Sequence, residues 1–341
     1  MKTTIKAAYI KAPFEVELRD VELRELAADE VLIQVKACGI CGTDLTSAAV
    51  GATDWEPVGH EIAGIVEQVG SRVMHTNIGD TVALETGTSC RTCDKCRNGR
   101  SDLCNKGPTF WLKDAMGFAE YIIAPMACVV PYSGLSFEQA ALLEPLGVAL
   151  DLVYTADLKL NDDVLIVGLG PIGLMALRLA KAMGARKVYA AARSHSNRRI
   201  ELARQWGADE IIYTDQVSLE QYPYADGGVD RVLVTAPPAT IPPSLDTLKV
   251  GGIAAFLGIE YGAGASITFD ANAFHFKKLQ LRASHASPAL YFPRGVELLR
   301  AGVIDGPSLI SHTFRLEQFP EAMNLLRTDK ESTIKMVMVN K

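Results

Sequence analysis

The chain has 341 residues, 48% of them hydrophobic and 22% charged, with a formal net charge of −6 at pH 7. That balance fits an ordered globular protein of about two domains and excludes disorder as the general state. It also gives the surface no overall attraction to phosphate backbones or anionic lipid, so neither a nucleic acid nor a membrane is expected as partner.

From the N-terminus, MKTTIKAAYIKAPFEVELRD has no apolar core of signal-peptide length, because Lys2, Lys6, Lys11 and Glu15 interrupt it. Export is not expected, and a cytoplasmic location is. Residues 31–37 alternate as a half-buried strand and lead into Cys41-Gly42-Thr43-Asp44. A turn-prone Glu56-Pro57-Val58 then precedes Gly59-His60-Glu61. A thiolate, an imidazole and a carboxylate could hold a zinc that keeps one position open to substrate. The spacing does not establish this. A lone His beside a Glu is usually a surface or satisfied core residue, and a lone Cys a small buried hydrophobe.

The next motif, CRTCDKCRNGRSDLC, places Cys90, Cys93, Cys96 and Cys104 in the pattern C-x2-C-x2-C-x7-C. One folded loop can aim four thiolates at a single centre, the soft tetrahedral set that a structural zinc requires. Arg91, Lys95, Arg97, Arg100 and Lys106 lie where they could offset the surplus negative charge, and Asn98-Gly99 lets the backbone turn. An iron–sulfur cluster, a redox pair and free thiols are the alternatives. A redox pair belongs at a helix N-terminus, and this stretch is too rich in turn formers for that. Seven cysteines is an odd total, so a disulfide framework is a poor explanation.

Residues 164–167, Val-Leu-Ile-Val, read as a strand buried on both faces of a parallel sheet, and they run into Gly168-Leu169-Gly170-Pro171-Ile172-Gly173. The G-x-G-x-x-G turn stands between that strand and a helix over 174–183, the setting in which glycines let a pyrophosphate approach a helix N-terminus. The whole apolar stretch 164–177 is too short and too broken to span a bilayer. Strand-like and helix-like runs alternate at 187–192, 198–206, 210–213, 230–235 and 253–257, which predicts a doubly wound parallel sheet over 147–277. An acidic residue at the end of the second strand would bind the ribose 2′-hydroxyl and repel a 2′-phosphate. That end is Ala192, followed by Arg193, Ser194, His195, Ser196, Asn197, Arg198 and Arg199, a loop with no carboxylate and several donors. NADP is therefore expected to be favoured over NAD.

CGTD, GHE, the four-cysteine lobe, Gly117-Phe118-Ala119-Glu120-Tyr121 and GLGPIG occur in the order seen in zinc-dependent medium-chain alcohol dehydrogenases, and the chain resembles that family over essentially its whole length. Leu143-Glu144-Pro145-Leu146 looks most like the polyol branch, which includes sorbitol, galactitol-phosphate and threonine dehydrogenases. The resemblance implies an α/β protein with a GroES-like catalytic domain, residues 1–146 and 278–341, and a Rossmann nucleotide-binding domain, residues 147–277. It implies that Cys41 and His60 hold a catalytic zinc and that Glu61 and Glu144 share the remaining role, one coordinating while the other holds the bound water or exchanges with it. Thr43 would take the alcohol's proton, and Asp44 would orient His60. Zinc would act as a Lewis acid on the substrate hydroxyl while hydride moves to the nicotinamide. The substrate is a small alcohol or carbonyl compound: a polyol, sugar phosphate or hydroxy-amino compound, with carbonyl reduction by NADPH as the other direction. The family also suggests a homodimer or homotetramer.

The chain departs from the pattern at Thr46, where many relatives have a histidine ending the proton relay, and in the short segment between CGTD and GHE. Cys38 and Cys128 read as packing residues, and Trp55, Phe110 and Trp111 as pocket or core aromatics. His75, His275, His285 and His312 have no partners at ligand spacing. Two rivals are a nicotinamide-sensing regulatory protein without turnover and a zinc-free quinone or enoyl reductase. The first is disfavoured by the intact Cys41, His60, Glu61, Glu144 and Thr43, and the second would need neither metal set.

Overall fold

The computed structural model describes residues 4–113, 115–329 and 331–341. The chain divides into two compact units, Met1–Gly147 with Ala286–Lys341, and Val148–His285.

The first unit is built on the strand Glu30–Gly39, whose Val31, Ile33, Val35 and Ala37 alternate along one face and are completely buried. It pairs antiparallel with Glu61–Val69, Tyr121–Pro125 and Lys335–Val339, so three distant stretches of sequence meet on one strand. The seven-stranded sheet is completed by Thr81–Leu84, Val129–Pro131 and Ile310–Phe314. A second sheet holds Thr4–Lys11, Glu15–Glu22 and the two-residue strand Glu56–Pro57. Phe118 packs on Phe319 with ring centroids 4.4 Å apart, and Phe314 lies 6.2 Å from Phe118, closing the core beneath the sheet. Register puts Gly39 opposite both Glu61 and Val337. The exit of this one strand is therefore where Cys41, Glu61 and the start of Lys335–Val339 come together.

The second unit is a six-stranded parallel sheet in the spatial order Glu210–Tyr213, Lys187–Ala192, Asp163–Val167, Val229–Val234, Leu248–Phe256, Gln280–Ala283. Counted along the chain this is 3-2-1-4-5-6, the order of the dinucleotide-binding Rossmann arrangement, and it reverses beside the first strand. All five residues of Asp163–Val167 are buried, as a two-sided parallel strand requires. The unit continues past residue 277, where the sequence alone placed its end, because Gln280–Ala283 pairs in parallel with Leu248–Phe256. Among the described residues no helix is long and apolar enough to cross a membrane.

Candidate metal and nucleotide sites

The four-cysteine stretch folds into a lobe with one short helix, Asp94–Arg97, and a left-handed turn at Gly99, φ 74°. Its four sulfurs lie within 4.8 Å of one another. The Cys93–Cys96, Cys93–Cys104 and Cys90–Cys96 separations are 3.5, 3.9 and 4.0 Å. Four sulfurs around a zinc at ordinary Zn–S length are about 3.8 Å apart, so this donor set fits that ion. The backbone of Thr92, then its hydroxyl, and the Cys93 N–H hold the Cys90 thiol down at about 5, favouring the thiolate a metal needs. Arg100 is committed to Asp102 at 2.8 Å, so it does not serve the sulfurs alone.

The second cluster joins Cys41, just before the helix Gly42–Thr46, to His60 and Glu61 at the start of the strand Glu61–Val69. One donor atom from each lies within 4.8 Å of the others. His60 and Glu61 are buried, and His60 Nδ1 and Glu61 Oε2 have no hydrogen-bond partner. Polar atoms left this way are costly, and a cation held by sulfur, nitrogen and oxygen would relieve the cost. Glu144, on the helix Leu143–Thr155, stands outside this donor group, although its charge acts on His60. Asp44 spans the pair. Its Oδ2 accepts from the Cys41 N–H at 2.8 Å, and its Oδ1 is 3.6 Å from His60 Nδ1.

Sequence reasoning missed Lys335. It is 3% exposed, and its Nζ donates to the Ile40 carbonyl at 2.8 Å and to Glu61 Oε1. Glu61 therefore has one oxygen fixed by a buried cation and the other buried without a hydrogen-bond partner. Burial pulls the Lys335 ammonium down, but Glu61 and Cys41 outweigh it and the net direction is up. His60 follows the same pattern, with burial opposed by Cys41 and Asp44 and a net rise. Burial, with Glu61 adding to it and His60 opposing, pushes Glu144 up to about 7.

Thr43 is exposed within the helix Gly42–Thr46, and Thr46 spends its hydroxyl on the Gly42 carbonyl at 3.1 Å. Trp111 is 45% exposed, with its ring centroid 5.2 Å from that of His60, whereas Phe110 is a core residue. A cavity of about 240 Å³ opens beside Trp111, lined in part by Thr86, Thr88, Asn105, Thr109 and Ser287. Trp55 instead receives the Arg19 guanidinium, 4.4 Å from its ring. Cys38 and Cys128 are fully buried, and all seven cysteines are free.

In the second unit the turn after Asp163–Val167 has Gly168 at φ 96°, and Gly170 precedes the helix Pro171–Ala182, with proline in its first turn. A Cβ at Gly173 would stand 2.0 Å from the Gly168 carbonyl oxygen, so helix and strand approach as only glycine allows. A Cβ at Gly170 would meet nothing within 4 Å. Packing does not demand that glycine, and the open space it borders fits the close approach of a pyrophosphate. Ile172 lies in the first turn of the same helix. Lys187–Ala192 ends at Ala192, Arg193 is exposed, and Arg198 lies on the helix Asn197–Gln205. The loop carries no carboxylate of its own, but Asp215 reaches it from the turn after the neighbouring strand Glu210–Tyr213 and binds Ser194.

Comparison with known proteins matches residues 27–134 to the alcohol dehydrogenase GroES-like domain and residues 171–300 to the zinc-binding dehydrogenase domain. Sorbitol dehydrogenase of Bacillus subtilis is 32% identical, over 98% of this chain and 97% of its own. L-threonine 3-dehydrogenase of Pyrococcus abyssi is also 32% identical, over 95% of each. A Sinorhizobium meliloti protein described as a zinc-binding dehydrogenase, solved bound to NADP, superposes with a TM-score of 0.87 at 27% identity, over 99% of this chain and all of its own.

Proposed function

The chain belongs to the zinc-dependent medium-chain alcohol dehydrogenases, a family of NAD(P)-linked oxidoreductases, and from that premise we propose that it interconverts a secondary alcohol and its carbonyl in a polyol, sugar phosphate or hydroxy-amino compound, with NADP favoured over NAD. The observation that carries this reading is the convergence of Cys41, His60 and Glu61 donors with two buried polar atoms unpartnered. Bound there, zinc supplies Lewis acidity toward a substrate hydroxyl, and the nicotinamide supplies the hydride acceptor.

The chain's own residues supply the rest. Cys41, His60 and Glu61 would hold the catalytic ion, with Glu144 as the second carboxylate that would exchange with Glu61. Asp44 keeps Cys41 and His60 in register, and Lys335 fixes the carboxylate of Glu61. Thr43 carries the alcohol's proton outward. With Thr46 bound to its own helix, its hydroxyl would not extend that path, and water would take the proton onward. Cys90, Cys93, Cys96 and Cys104 would hold a second, structural ion, since four sulfurs leave no open position. Gly168, Gly170, Pro171, Ile172 and Gly173 would receive the pyrophosphate, and Ala192, Arg193, Ser194 and Arg198 the adenosine end. The three arginines 193, 198 and 199 support the NADP preference, against the opposing charge that Asp215 brings to Ser194. Family likeness supports a homodimer or homotetramer, and seven free cysteines support a thiol-reducing, cytoplasmic setting.

The test is the nicotinamide absorbance change with a panel of polyols, sugar phosphates and hydroxy-amino acids, each with NADP and NAD, before and after chelation. Turnover that chelation abolishes is expected. Turnover untouched by removal of both zincs would overturn the reading.

A further inference from the structure

The adenosine end of a dinucleotide lies at the tip of the second strand of such a unit, about 20 residues after the glycine turn. That tip is Ala192 to Ser194, and its own loop holds no carboxylate. One strand over, Tyr213 pairs with Ala192 in the parallel ladder, and the Thr214 N–H donates to the Ala192 carbonyl at 3.0 Å. The next residue, Asp215, is thereby carried to the tip. Its Oδ1 accepts from the Ser194 N–H at 2.8 Å and its Oδ2 from the Ser194 hydroxyl at 2.5 Å.

We propose that Asp215 is a specificity-determining residue for the nicotinamide cofactor, holding Ser194 and setting a negative charge where the 2′ substituent of the adenosine ribose falls. The proposal rests on the dinucleotide reading of the glycine turn. Both Ser194 donors that a 2′-phosphate would use are already taken, and by a group of the phosphate's own sign. A 2′-hydroxyl meets no such opposition, because each carboxylate oxygen keeps a lone pair free to accept from it. Asp215 is exposed, so a ligand can reach it. The bonds from Ser194, with His195 beside it, hold its carboxyl below the ordinary carboxylate range, so it is charged under working conditions. Selectivity is then the difference between Arg193, which attracts a phosphate, and Asp215, which repels one.

Affinities of the full-length zinc-loaded protein for NADP and for NAD, measured by titration, test this together with the ratio of kcat/KM for the two cofactors. Asp215→Asn is expected to raise the NADP-to-NAD ratio by roughly fivefold, the scale of one charge contact exposed to water. Asp215→Glu, which keeps the charge, should leave the ratio near the starting value, and Arg193→Ala should lower it. A residue that only braces the loop would change both cofactors in parallel. An unchanged ratio in Asp215→Asn, with both cofactors still binding, overturns the proposal. If the unsubstituted protein binds neither cofactor, the reading of the glycine turn falls and the proposal falls with it.

Discussion

Replacing Lys335 with methionine removes one charge of a pair that the fold has taken out of water. Lys335 is 3% exposed and Glu61 completely buried, and the lysine bonds both Glu61 and the Ile40 carbonyl. Methionine fills much of the lysine stem's volume, so the cavity contribution is small and the loss is electrostatic. Breaking a buried pair by removing one partner leaves the other charge uncompensated and costs about 3–5 kcal/mol. Urea unfolding of the unit that contains the pair reads this as a lower midpoint. The loss should shrink when zinc is supplied, because the metal restores positive charge beside Glu61. Adding Glu61→Gln should recover part of the loss, since the double variant no longer buries an unpaired carboxylate, with a coupling energy above about 1 kcal/mol. A Lys335→Met loss under about 1 kcal/mol, or strict additivity with Glu61→Gln, would refute the idea that this lysine positions the carboxylate.

Glu85 offers a pH test. It is buried, and burial pushes its carboxyl up from 4.5 to about 7 against the Thr88 hydrogen bond. A folded value above the unfolded one means full stability below the unfolded pKa and loss as pH rises through about 7, roughly 3 kcal/mol in total. Glu85→Gln should therefore stabilise the protein more near pH 8 than near pH 5, and equal urea shifts at the two would contradict it. Gly173→Ala must displace the Gly168 carbonyl and should lower stability by about 1–3 kcal/mol or more. Gly170→Ala, with φ −70° and open space around it, should leave unfolding unchanged while weakening nicotinamide binding, as titration of both variants would show. Thr43→Val should cut kcat by about 10²–10⁴ with zinc content intact, and an unaltered kcat would remove Thr43 from the proton path.

Features that close within a few residues were legible in the sequence. The four cysteines span one loop, so their spacing alone predicts a common centre. The glycine turn likewise sits between two strongly patterned elements, and strands and helix appear there within a few residues of their expected bounds. What escaped depends on contacts between remote segments. Lys335 lies 274 residues from Glu61 and reaches it because two strands flank Glu30–Gly39. Asp215 is invisible to any reading of the loop it serves, because it arrives from the turn after the adjacent parallel strand. Trp111 was one of three aromatics of equal standing, and only the folded chain puts it, rather than Phe110 or Trp55, beside His60. The end of the nucleotide unit was placed too early because Gln280–Ala283 alternates poorly and is only partly buried, so pairing rather than pattern defines it as a strand.

The most direct measurement is zinc content per chain, taken alongside NADP-linked turnover, for the unsubstituted protein, Cys41→Ser and Cys104→Ser. The proposed chemistry predicts two zinc ions in the first protein. Cys41→Ser should lose one ion and all turnover while keeping its fold, and Cys104→Ser should lose the other. Full turnover in a Cys41→Ser protein from which zinc is absent would contradict a catalytic metal at Cys41, His60 and Glu61.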